Sequence, residues 1–227
     1  MQGNRLAEQK TKIQTSETFL VSAVLAISGG FQDAYTYNVR DEVFSNAQTG
    51  NVVLMSQHFM MGQWKTAFHY FFPILAFALG VLVAEHIQSK YKNSKRIHWR
   101  QIVVILEIVI LFSVGFMPSK WNLIATMLVS FTCSMQVQTF RKMNGYGYAS
   151  TMCIGNLRSG TESLFAYIRD RNKESLRKAV YYYGIIFVFA IGAGIGGIMT
   201  IWFGFRAIWM SSLLLIISCL LMIREKL

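Results

Sequence analysis

The chain has 227 residues, of which 53% are hydrophobic and 15% charged, and it carries a net charge of +11. A soluble globule of this size needs more polar surface, so composition excludes the soluble classes and points to an integral membrane protein with the lipid bilayer as its first partner. The basic residues gather in short loops between apolar runs, where membrane topology and anionic lipid account for them, and nucleic acid is excluded as a partner.

In chain order, residues 1–17 read as a cytoplasmic tail carrying Arg5, Lys10 and Lys12. The apolar run at 18–38 is the first of six, followed by 66–88, 101–117, 121–140, 177–200 and 205–223. Each can cross the hydrocarbon layer of ~30 Å, which takes roughly 20 helical residues. The runs are continuous rather than alternating, so they predict helices and not a barrel. The tail and the run from Phe19 also have the outline of a signal peptide, with Ala26-Ile-Ser28 as a cleavage site. The continuation into Gly29-Gly-Phe-Gln-Asp33 favours a span.

Two shorter segments, 43–62 and 149–168, are rich in Gly, Ser, Thr, Asn and Gln. If they cross, the basic cluster Lys90, Lys92, Lys95, Arg96 and Arg100 falls outside the cell. If they enter and leave on one side, only Arg40, Lys65, Lys120 and Arg206 are outside, with Arg158 inside the second short segment. The excess of cytoplasmic Lys and Arg in membrane proteins favours the second arrangement. The predicted fold is an all-α integral membrane protein of six transmembrane helices plus two short re-entrant or buried polar segments. Both termini are then cytoplasmic, in the inner membrane. The alternative for the short segments is a pair of interfacial helices acting as linkers.

The chain also contains itself twice. Trp64 to Gly80 aligns without a gap on Leu176 to Gly192, matching Ala67, Tyr70, Ile74, Phe77, Ala78 and Gly80 with Ala179, Tyr182, Ile186, Phe189, Ala190 and Gly192. Upstream, Ser45, Gly50 and Asn51 fall over Ser150, Gly155 and Asn156, and Gln32 over Gln136 after a one-residue slip. Three spans per copy is an odd number, so residues 118–227 form a second membrane repeat inserted upside down relative to 18–117. Irregular backbone at membrane depth survives only where protein or a water-filled cavity surrounds it, so the paired short segments point to a permeation path.

Other signals agree. Trp64, Trp99, Trp121, Trp202 and Trp209 all fall near predicted span ends, at headgroup level. Cys133, Cys153 and Cys219, and His58, His69, His86 and His98, show no metal-ligand spacing, so no metal site is expected. No cofactor motif and no HExxH or GxSxG pattern is present, and an enzyme is not expected.

The candidate pathway residues are polar groups at costly depth. Asp33 lies near the outer end of the first span, where it either serves the pathway or merely terminates the span. Glu107 sits mid-run in Val103 to Leu111. A charge there costs on the order of 2.5 kcal/mol, so the side chain is neutral, paired or turned to a cavity. A proton-coupled transporter would use one of these two. Thr49-Gly50-Asn51 and Gly155-Asn156 are the binding candidates, and Asn51 and Asn156 are expected close together at mid-depth. Glycine permits close approach, and a half-helix starting after each Gly-Asn would aim free N–H groups at the midplane. Small residues at a helix crossing would give the same composition. Gln136, Gln138 and Arg158 are expected to line the same cavity.

Gly29-Gly-Phe-Gln-Asp33-Ala-Tyr35, then Val43-Phe-Ser-Asn-Ala-Gln-Thr-Gly-Asn-Val-Val-Leu54, then Phe77-Ala-Leu-Gly80, resemble the YoaK-type family of uncharacterised bacterial multi-pass membrane proteins. The similarity covers nearly the whole chain. It implies a polytopic bacterial inner-membrane protein and names no substrate. The leading expectation is a secondary transporter or channel for a small polar or ionic solute; the alternative is a non-transporting scaffold or sensor. The face of Gly192, Gly194, Gly196, Gly197 and Gly204 suits a homo-oligomer.

Overall fold

The computed structural model describes residues 14–92 and 98–223. The tail through residue 13, Lys95 and Arg96 of the basic loop, and residues 224–227 lie outside the described residues.

The apolar runs fold as helices, and local caps set several of their starts. Thr18 caps α1 (Phe19–Val39) by accepting from the Val21 amide. His98 and Gln101 form a reciprocal cap at the start of α4 (Trp99–Val114), and Asn172 caps α7 (Lys173–Phe203). The remaining long helices are α3 (Trp64–Tyr91), α5 (Asn122–Thr139) and α8 (Ile208–Ile223). The two polar segments become α2 (Gln48–Met60) and α6 (Cys153–Asp170), and neither has a side-chain cap. A two-residue-per-strand hairpin, β1 (Lys142–Met143) and β2 (Tyr146–Gly147), precedes α6.

By length and apolarity alone, two stretches qualify as spans: Trp64–Tyr91, and Lys173–Met222 of 50 residues. The second would be ~75 Å long as one rod, more than twice the hydrocarbon thickness. Gly204, with φ of +53°, breaks it into α7 and α8. The other expected spans fall short for identifiable reasons: α4 and α8 have 16 residues each, and α1 and α5 are diluted by Ser, Thr, Gly and Gln.

Helix packing is reciprocal. α1 packs on α7 and α5 on α3; α1 packs on α8 and α5 on α4; α2 packs on α3 and α6 on α7; α4 packs on α8. Every one of these contacts maps onto another, or onto itself, when α1–α4 are exchanged for α5–α8. α1 and α7 run parallel, with Phe19 beside Gly184, Ile27 beside Gly192 and Asn38 donating to Thr200 at 3.2 Å. A β-carbon on Gly192 would collide with the Ile27 carbonyl, and one on Gly80 with the Phe131 carbonyl. Gly80 and Gly192 are aligned in the sequence, and Ile27 and Phe131 each stand five residues before the aligned Gln32 and Gln136. Gly192 and Gly196 are thus used inside the chain, against α1, and not left free for a second copy.

The bundle buries polar side chains among its apolar core and leaves many large apolar ones on its surface. Ser28, Gln32, Ser130, Gln136, Ser211 and Ser218 are buried, whereas Leu82, Val109, Phe187, Ile201 and Leu213 are exposed. That distribution suits apolar solvent. Buried polar groups find each other across helices: Gln32 donates to Ser28 Oγ at 3.0 Å and Ser211 Oγ at 2.9 Å, and Cys133 donates to Gln32 Oε1.

Two arginines tie the ends. The sequence assigns Arg40 to an exposed outer loop; the structure buries it completely. Its guanidinium donates to Tyr35 Oη at 2.9 Å, Asn122 Oδ1 at 2.8 Å and the Val114 carbonyl at 3.0 Å, and lies 4.1 Å over the Phe205 ring. At the opposite end Arg100 donates to Glu17 Oε1 at 2.8 Å and Ser16 Oγ at 2.6 Å, joining the start of α4 to the start of α1.

Candidate functional site

After Arg40 the chain reverses: Asp41 and Glu42 both take positive φ, at 60° and 58°. Residues 43–47 then run back into the bundle beside α1. Asp33 fixes this leg, its Oδ1 accepting from Ser45 Oγ at 3.1 Å and from the Asn46 amide at 2.8 Å. Asn46 in turn donates to the Gly29 carbonyl at 3.0 Å. From that depth α2 climbs back to the Arg40 end, where His58 stacks on Tyr70 of α3.

The second leg, residues 148–152, repeats this plan from the other end. Gln136 of α5 donates to Ser150 Oγ at 2.9 Å and to the Leu25 carbonyl at 3.2 Å. α6 then returns along α7, with Gly160 against Tyr182. Each leg is stapled to its helix by an asparagine in the fourth helical position. Asn51 donates to the Phe44 carbonyl at 2.7 Å, and Asn156 donates to the Ala149 carbonyl at 2.6 Å, both reaching back seven residues.

The starts of α2 and α6 therefore face a common cavity of about 520 Å³. Asp33, Asn46, Gln48, Thr49 and Thr151 supply its polar lining, and Ile74, Phe77, Ile154 and Phe189 its main apolar walls. Phe77 and Phe189 are aligned residues of the two halves. Asn46 Oδ1 and Thr151 Oγ1 are buried with no hydrogen-bond partner among the described residues. The first amides of a helix lack intrahelical acceptors; in α2 the Gln48 and Gly50 amides donate instead to the Asn46 and Ala47 carbonyls at 2.9 Å, whereas α6 starts without a side-chain cap and leaves donors at the cavity's edge. The site thus offers a carboxylate and a free side-chain carbonyl oxygen beside the start of α2, and amide donors at the start of α6.

Of the residues expected from sequence, Asp33 and Thr49 line the cavity. Asn51, Asn156 and Gln136 stand behind it, holding the legs. The helices start before Thr49-Gly50-Asn51 and Gly155-Asn156, not after them. Gly50 and Gly155 adjoin the site, but no close approach demands glycine: a β-carbon would make ordinary contact with Phe44 at Gly50 and meet open space at Gly155. Two expectations are corrected. Gln138 is half-buried at the Arg100 end, bonded to Glu85. Arg158 points outward, loosely paired with Glu162 at 3.7 Å. Glu107, for which the sequence leaves both packing and transport open, is buried in α4 and does not line the cavity, its Oε1 without a partner among the described residues. Sequence reading passes over Asn46, Gln48 and Thr151, although Asn46 and Thr151 directly follow the aligned Ser45 and Ser150.

Comparison with known proteins agrees with this frame. A family described as "Protein of unknown function (DUF1275)" matches residues 21–221. The chain is similar to UPF0700 transmembrane protein YoaK of Bacillus subtilis (strain 168), 23% identical over 180 residues that cover 75% of this chain and 79% of that protein. No solved structure matches it significantly.

Proposed function

This chain belongs to the DUF1275 family of proteins of unknown function, and from that premise we propose that it is a six-span transporter or channel moving a small polar or ionic solute across the bacterial inner membrane. One observation carries the reading: two uncapped helix starts, reached by legs from opposite ends of the bundle, share a cavity containing a carboxylate and unpartnered polar groups.

The reciprocal packing supports two inverted repeats, with α2 and α6 as re-entrant segments entering from opposite faces. Alternating access then amounts to the α1–α7 pair rocking against the α3–α5 pair, each drawn from both repeats, about the shared cavity. The α1–α7 and α3–α5 crossings, closed by Gly192 and Gly80, are the packed surfaces that move as units. Of the two carboxylates considered for coupling, Asp33 is the one at the cavity.

The test is a solute-flux screen on purified protein in liposomes, alongside the variant Ala78→Trp, which fills the cavity from α3. Flux of a small solute that this variant abolishes, with folding intact, is the expected result. Absence of flux across the screen, together with full tolerance of cavity substitutions in cells, would replace transport with a scaffold or sensor role.

A further inference from the structure

We infer that the central cavity is built for a net-neutral zwitterion with an apolar side chain, an amino-acid-like solute; the inference rests on the transport reading and names its substrate class. The argument begins with charge. Among the described residues that line the cavity, Asp33 is the only one with a formal charge. Both hydrogen bonds to its Oδ1 are donated to it, by Ser45 and Asn46. At the same cavity, the α2 and α6 amino termini each carry about half a positive elementary charge. The two sums nearly cancel. A lone cation or anion entering this apolar site would leave one set of groups without a counterpart and carry an unbalanced charge to membrane depth.

The polar groups are also sorted by kind. Asp33 and the unpartnered Asn46 Oδ1 are acceptors and suit an ammonium. The uncapped start of α6 and the unpartnered Thr151 hydroxyl are donors and suit a carboxylate. Asn46 and Thr151 are 3% and 5% exposed, so neither is satisfied by bulk solvent. Phe77, Phe189 and Ile74 remain for the apolar portion of the solute. At about 520 Å³ the cavity is within the roughly 300–1,000 Å³ range of small-molecule sites.

The experiment compares one carbon skeleton in three charge states. Purified full-length protein in nanodiscs is titrated with L-leucine, with 3-methylbutylamine, which lacks its carboxylate, and with 4-methylpentanoate, which lacks its ammonium. L-Leucine is expected to bind at least tenfold more tightly than either analogue. Thr151→Val should weaken leucine binding several-fold without changing the melting temperature of the ligand-free protein. Asp33→Asn should narrow the preference for leucine over 4-methylpentanoate; if it also unfolds the protein by releasing Ser45 and Asn46, the Thr151→Val result decides. An amine or acid that binds as tightly as leucine overturns the zwitterion, as does failure of all three to bind. Counterflow of radiolabelled leucine in liposomes separates the two readings. Binding without counterflow keeps the site and removes transport, whereas flux of another solute blocked by Ala78→Trp keeps transport and removes the zwitterion.

Discussion

Asn51 and Asn156 illustrate how a residue that looks like a ligand can instead make the site possible. Each carries an extended leg's carbonyl on its side-chain amide, so truncation to alanine strands that buried carbonyl and frees the leg. Asn51→Ala and Asn156→Ala are each expected to cost about 1–3 kcal/mol, seen as a lower melting temperature in detergent. Their glycine neighbours should behave oppositely. Gly50→Ala and Gly155→Ala meet no steric obstacle, and alanine is favoured over glycine in a helix by roughly 0.5–1 kcal/mol, so both variants should melt at or above the parent temperature. A marked drop at either glycine would overturn this account of the space around it. Arg40 is the strictest case. Its guanidinium bridges α1, α4 and α5, and lysine cannot reproduce three directed bonds and a stacked ring. Arg40→Lys should lower the folded yield on size exclusion, while Arg158→Lys, on an exposed side chain, should not.

At the scale of elements, the closest test is the paired glycine crossings. Gly80→Leu should break the α3–α5 contact and Gly192→Leu the α1–α7 contact, each giving aggregated protein, while Gly194→Leu, with open space around it, should fold. Loss of only one crossing's variant would weaken the case that the two contacts are copies. The helices themselves were readable because continuous apolar runs leave few alternatives, and the start of α7 follows from Asn172. The hairpin was also readable in principle, from Asn144-Gly145, where both residues take positive φ. The cavity was only half readable. Gln136 and Gln138 stand two residues apart, as do Asn156 and Arg158, and two steps on a helix turn through ~200°. If the first of each pair faces inward, the second faces out, and the structure obeys this. The starts of α2 and α6 were hidden for another reason: Asp33 and Gln136 set them from distant helices, and no local cap marks them.

For the whole molecule, the orientation of both legs reduces to which face each loop occupies. Single cysteines at Lys92 and Arg171, in a background lacking Cys133, Cys153 and Cys219, should label from the cytoplasm, and those at Gly62 and Lys120 from the opposite side. Labelling of Lys92 and Arg171 from different faces would restore an eight-span chain. The exchange of helices between halves has a further consequence, in biogenesis. Because α1 packs chiefly on α7, and α3 on α5, neither half encloses its own partner surface. α1 leaves the ribosome well before α7 and must wait for it. Its Gly29-Gly30 surface and Gln32 stay uncovered during that interval, open to quality-control proteases. Residues 1–117 expressed alone should therefore be degraded, and co-expression with 118–227 should rescue both fragments, as measured by pulse-chase; a stable lone half would mean that the interlock forms after each half has already folded.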